Sequence, residues 1–147
     1  MNREILFRAK RIDDGEWVEG FIIIDGTTGK YFIFPKDNFT CESDVIGEEG
    51  LLHLLTFEVD PSTVCQYTGL KDCNGSRIFE GDILESSFST HSNIYIVYDE
   101  FKASFGWLST DFIRTQGKAR EITNYNMSSH TIIGNIFDNP ELLEVQG

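Results

Sequence analysis

Short runs of β-branched and aromatic residues, each closed by Gly, Pro or an Asp/Asn-Gly pair, recur along the chain from Ile5 to Phe137. This rhythm leaves room for strands of ordinary length and none for long amphipathic helices. Ile5, Phe7 and Ala9 alternate with Arg8 and Lys10, the period-two signature of a half-buried strand. Asp13-Asp14-Gly15 supplies a turn, and Trp17 to Ile24 completes a predicted hairpin. A second breaker, Asp25 to Gly29, leads into Tyr31 to Phe34, which stops at Pro35. After Pro61 the strand signals return at Val64 to Thr68, Ile78 to Glu85, Ile94 to Tyr98, Ser104 to Leu108, Glu121 to Tyr125 and Thr131 to Phe137.

The predicted fold is mostly β with little helix. An N-terminal β-meander spans residues 1 to 60, and a C-terminal small β-barrel spans 61 to 147, SH3-like around Ile78 to Tyr98. Asn74-Gly75 is the sharpest turn signal, because both central residues of a type I′ turn need positive φ; Gln116-Gly117 is a weaker case. Ile94 to Tyr98 is apolar or aromatic throughout and predicts a strand with protein on both faces. Asn139-Pro140 predicts a capped single helical turn at the C-terminus.

At 147 residues the chain is one ordinary domain or two very small ones. Its 24 acidic against 12 basic residues give a formal net charge of −12, which repels phosphate at long range and disfavours general binding to duplex DNA. Seven carboxylates and no lysine or arginine lie between Asp37 and Asp60, a segment read as a loop-bearing acidic connector with a leucine-rich centre. The early basic residues and the brevity of the apolar run Phe21 to Ile24 argue against a signal peptide or a membrane span. Cys41, Cys65 and Cys73 are odd in number and hold no Cys-x-x-Cys pair, which points to a reduced, cytoplasmic setting. Cys65 reads as core packing and Cys73 as a turn residue.

Catalytic signatures are scarce. Neither a phosphate-binding glycine loop nor a Gly-x-Ser-x-Gly elbow occurs, so no cofactor is expected. His53, His91 and His130 stand 38 and 39 residues apart, so no helical metal face forms and no metal is expected. Glu80 and Asp82 could share one strand face as an acid and base pair, but Gly81 between them favours a bend in which Asp82 bonds its own backbone. A hydrolase would need His91 or His130 to meet Asp82 in a cleft. The set Arg3, Arg8, Lys10 and Trp17 offers cations and a stacking ring for single-stranded nucleic acid; charged protection of an edge strand is the simpler reading.

Several blocks together resemble the YopX family. They are Arg3 to Ala9, Trp17-Val18-Glu19-Gly20, Val64 to Asp72, Asn74-Gly75, Ile78-Phe79-Glu80-Gly81-Asp82-Ile83 and Ile133 to Leu143, in the family's order over nearly the whole chain. The resemblance implies a β-rich fold and an origin in bacteriophages or prophages, with no established biochemical activity and no catalytic set. Cys65 stands where the family more often has glycine, and Cys73 where it more often has a charged residue. Matching positions Gly69, Asn74, Gly75, Gly81, Asp82, Gly134 and Asn139 are turn formers, whose role is folding. The expected function is that of a non-enzymatic accessory protein in the host cytoplasm, contacting a host or phage protein. Single-stranded nucleic-acid binding through the basic set is the alternative, and an unannotated hydrolase a lesser one. Open sheet edges leave pairing between copies as a further option.

Overall fold

A computed structural model describes residues 3–37, 56–86, 92–111 and 116–144. The chain divides into two compact units, Met1–Gln66 and Tyr67–Gly147, six residues beyond the division expected at 60/61.

In the first unit, β1 (Phe7–Lys10), β2 (Trp17–Ile24), β3 (Tyr31–Pro35) and β4 (Phe57–Val59) form the expected antiparallel meander. The strand order is β4-β3-β2-β1-β5, where β5 (Cys65–Lys71) begins in this unit and continues into the second. The turns use the predicted chemistry: Asp14 Oδ1 accepts from Glu16 N at 2.9 Å, and Asp25 Oδ1 accepts from Thr27 N at 2.8 Å. The bond from Thr27 N, with further bonds from Thr28, holds the Asp25 carboxyl below its usual range. Registers Ala9↔Val18, Ile22↔Ile33 and Tyr31↔Val59 put one alternate set on a single face, where Ala9, Ile33 and Val59 are fully buried. Ile12 N donates to Glu58 O and Asp60 N to Lys10 O, so the chain leaving β1 is tied back to β4. The end of the acidic segment is therefore sheet and not connector: residues 57–59 pair with β3, and Asp60 caps the 3₁₀ turn Pro61–Thr63. Residues 38–55 of that segment, with Cys41, His53 and the leucines, lie outside the described residues.

In the second unit, β5 pairs with β6 (Arg77–Phe79). A separate sheet has the order β10-β9-β8-β7-β11, built from β7 (Asp82–Ser86), β8 (Ile94–Asp99), β9 (Ser104–Ser109), β10 (Arg120–Glu121) and β11 (His130–Asn135). This order is open, so among the described residues no barrel closes around residues 78–98. The strand expected over 78–85 is two strands, because Gly81 takes φ +85° and Asp82 Oδ2 accepts from Phe79 N at 2.8 Å. Ile78, Leu84, Ile94, Ile96 and Met127 make the buried core, with Trp107 and Ile132 against it. Burying each such side chain contributes about 1.5–3 kcal/mol.

Four local expectations are corrected. Only Gly75 of the Asn74-Gly75 pair has positive φ: Gly75 N donates to Asp72 O and Asp72 N to Ser76 O, a longer turn with a bulge at Gly75. The stretch expected as strand 121–125 holds the two-residue β10 and then α1 (Asn124–Met127), because Thr123 and Asn126 form a reciprocal capping box. β8 buries Ile94 and Ile96 on one face, where Tyr98 further along is 45% exposed, and leaves Tyr95 and Val97 on the other face half-buried, so the second face is covered only in part. The C-terminal turn Pro140–Leu143 is present with Asn139 at its cap position, but the side chain makes no cap bond; Asn139 Oδ1 instead accepts from Asn135 N at 3.3 Å.

Candidate functional site

The most distinctive surface is the tip of the β8–β9 hairpin. Ladder pairs Tyr98↔Phe105 and Asp99↔Ser104 bring the strands to a four-residue loop, Glu100 to Ala103. Asp99 Oδ1 accepts from Phe101 N at 3.0 Å and Lys102 N at 3.4 Å, so the aspartate orders the backbone that carries the phenylalanine. Ala103 closes the loop at φ +51°. Lys102 Nζ reaches Ala119 O at 3.0 Å and Asp99 Oδ2 at 3.9 Å, bracing the loop against the segment before β10. Below it, the Tyr98 and Phe105 rings meet edge to face, centroids 5.4 Å apart.

Phe101 stands on this braced loop with its side chain wholly in solvent, at 103% relative exposure. Beside it runs a groove of about 690 Å³ with Val97, Tyr98, Leu108 and Ala119 among its walls. A second hollow of about 470 Å³, which shares Lys102, Lys118 and Ala119 with the groove, is also lined by Gln116, Arg120 and Glu121. Scattered exposed apolar residues are ordinary; an anchored aromatic beside an apolar groove is the arrangement found where partners dock. The single sequence signal for it was an aromatic inside turn chemistry, at Asp99-Glu100-Phe101-Lys102.

The basic set is partly assembled. Arg8 and Lys10 point from one face of β1 and both lie over the Trp17 ring, at 4.9 and 5.4 Å from its centroid. Lys10 is the register partner of Trp17 and Arg8 of Glu19. β1 is flanked by β2 and β5, so protection of an edge strand does not explain these charges. Arg3 is exposed and precedes β1. On the same outer face, registers Phe21↔Phe34 and Ile23↔Phe32 continue an apolar surface on which Phe21 is 44% exposed.

Residues considered for catalysis are held apart. Asp82 is 1% exposed and accepts from Phe79 N, while Glu80 is half-buried in the bend, where desolvation raises its pKa. Asn135 is the register partner of Asp82 and His130 that of Ser86, so four residue steps along β7 separate the aspartate from the histidine, about 13 Å of strand. His130 Nδ1 lies 2.6 Å from Asn126 O. His91 lies outside the described residues. Cys65 is buried, and Cys73 Sγ lies 3.1 Å from Thr131 Oγ1 in its exposed turn. Among the described residues, no group of three His, Cys, Asp or Glu side chains could hold a metal ion. No described helix is long and apolar enough to cross a membrane.

A family model described as YopX protein matches residues 6–144. The chain belongs to the YopX family. A solved crystal structure of protein EF1440 from Enterococcus faecalis is similar at 27% identity and a TM-score of 0.55, over 97% of this chain and 100% of that one. No curated protein matches the chain.

Proposed function

We propose that this protein is a phage or prophage accessory protein that acts in the bacterial cytoplasm, without catalysis, by contacting another protein through the β8–β9 tip. The observation that carries the reading is Phe101, fully exposed on a loop ordered by Asp99 and set beside an apolar groove. Leaving such a side chain in water forgoes about 1.5–3 kcal/mol that docking recovers. The test is a tagged pull-down from bacterial lysate, with and without nuclease, comparing the native chain with Phe101→Ser and with Tyr125→Ser as an exposed-aromatic control. The reading expects one protein retained by the native chain and by Tyr125→Ser and lost with Phe101→Ser. Equal recovery by all three removes the tip from the account. Turnover of a phosphoester by the purified protein, abolished by Glu80→Gln or Asp82→Asn, would overturn the non-enzymatic reading altogether.

A second reading, single-stranded nucleic-acid binding, is favoured by the convergence of Arg8 and Lys10 on Trp17. The net charge of −12 opposes it. A labelled oligonucleotide should then bind at low salt and release steeply as salt rises, and Arg8→Ala with Lys10→Ala should abolish the shift. No shift at low salt ends this reading.

A further inference from the structure

We infer that the β8–β9 tip pairs with the same tip of a second copy of this chain, Phe101 of each copy entering the groove of the other. This rests on the contact reading above and names an occupant for the surface. A two-fold pair uses one patch twice, so a patch that serves it must carry both members of every contact. The tip does so. Its knob is Phe101, wholly exposed, and its hole is the adjoining groove of about 690 Å³ walled by Val97, Leu108 and Ala119. A hollow of that size has room for a phenyl ring. Its free charges also come in both signs: Glu100 and Lys118 line the groove, both are exposed, and neither has an ion-pair partner among the described residues. Across a two-fold axis at the tip, each Glu100 faces the other copy's Lys118, and no charge is left over.

Charge decides whether two copies can approach here at all. At a net −12 each they repel at long range. At the two joined hollows that repulsion is locally cancelled, with Asp99, Glu100 and Glu121 offset by Lys102, Lys118 and Arg120. Exposed ion pairs add little affinity, so they set the register while burial of the two phenylalanines supplies the attraction. One loop and one groove make a small interface, so the dimer is weak and the tip stands open when the chain is dilute, as in a lysate. A pull-down and a self-association measurement therefore read different occupants of the same surface.

The experiment is analytical ultracentrifugation of the full chain from about 1 μM to about 1 mM, in about 0.15 M salt, which screens the long-range repulsion and spares charges in contact. The expected result is monomer at the low end and dimer at the high end. Phe101→Ser should weaken the dimer about a hundredfold, because a two-fold interface loses each anchor twice, at about tenfold per anchor. Tyr125→Ser, an exposed aromatic outside the patch, should leave it unchanged. Glu100→Lys and Lys118→Glu should each weaken it by setting like charges face to face, and an equimolar mixture of the two should pair more tightly than either alone, since every facing pair is again opposite in sign. Glu100→Lys also makes the chain less negative, so general repulsion predicts a tighter dimer where the local contact predicts a weaker one. All four side chains are exposed, so none of the changes endangers the fold. Monomer at every concentration would overturn the inference and leave the contact reading to the pull-down. A dimer indifferent to Phe101→Ser, or a mixture that pairs no more tightly than its components, would put the pairing on another face and overturn it equally.

Discussion

Asp72 ties the β5–β6 turn to β11, and its removal is the sharpest test of how the second unit is held. Its carboxylate is buried, with Oδ1 accepting from Asn74 N and Ser76 N, both at 2.9 Å, and Oδ2 accepting from Ile132 N at 3.1 Å. The last of these satisfies an amide where the β11–β7 ladder shifts register, between Ile132 and Gly134. A hydrogen bond to a charged group contributes about 1.5–3 kcal/mol, and a stranded buried N–H costs about 1–3 kcal/mol. In Asp72→Ala, water can reach the turn amides but reaches Ile132 N poorly, so the expected loss is about 3–5 kcal/mol. Asp72→Asn keeps one oxygen for the turn and sets an NH₂ against Ile132 N–H, or the reverse, for an expected loss of about 1.5–3 kcal/mol. Urea unfolding followed by Trp107 fluorescence in a Trp17→Phe background reports on the second unit, with stability read from the midpoint at constant slope. A loss below about 1 kcal/mol for Asp72→Ala, or an Asn variant equal to the native chain, would refute the reasoning.

Other positions give equally definite expectations. A Cβ on Gly20 would stand 1.9 Å from Phe34 O, a backbone atom that cannot step aside, so Gly20→Ala should cost about 3 kcal/mol or more; a midpoint shift under a third of that would contradict the packing. A Cβ on Gly134 meets the Asn139 side chain at 2.4 Å, so Gly134→Ala should destabilise the native chain by about 1–2 kcal/mol and cost less in an Asn139→Ala background. Simple additivity of the two substitutions in a double-mutant cycle would show that the clash is not felt. Desolvation raises the Glu80 pKa in the folded chain, so the folded state holds this proton more tightly and stability falls as pH rises from the unfolded value through the folded one. Glu80→Gln should therefore stabilise the protein at pH 7, with the gain vanishing below the ordinary glutamate range; a gain of equal size at both pH values would exclude a titration origin.

The first unit was the more legible from sequence. Its strands alternate cleanly, as in Phe7 to Lys10, and Asp14 and Asp25 announce turns through bonds to their own neighbouring backbone. The second unit hides more, because its decisive interactions are longer in range or compete with local propensity. Asn74-Gly75 reads as a two-residue turn until Asp72 gathers the amides around it, and Thr123-Asn124-Tyr125 reads as a strand until Asn126 closes the capping box. Gly81 and Asp82 were legible as a bend, and their bonds to Phe79 and Ile96 fulfil it. Of the basic set, Arg8, Lys10 and Trp17 could be placed together because cross-strand register follows from the turn. The tip could not be: Phe101 is ordered by Asp99 locally, but Lys118 and Arg120 join it only through the pairing of β10 with β9. Sequence spacing carries no trace of that meeting.

The central claim is that the β8–β9 tip is where this protein meets its partner. A photo-crosslinking phenylalanine analogue placed at Phe101, and in a separate chain at Tyr125, which is 91% exposed, tests it in bacterial cells carrying the protein. The account predicts one discrete adduct from position 101 that is absent from position 125. The same adducts from both positions, or an adduct from position 125 alone, would contradict it.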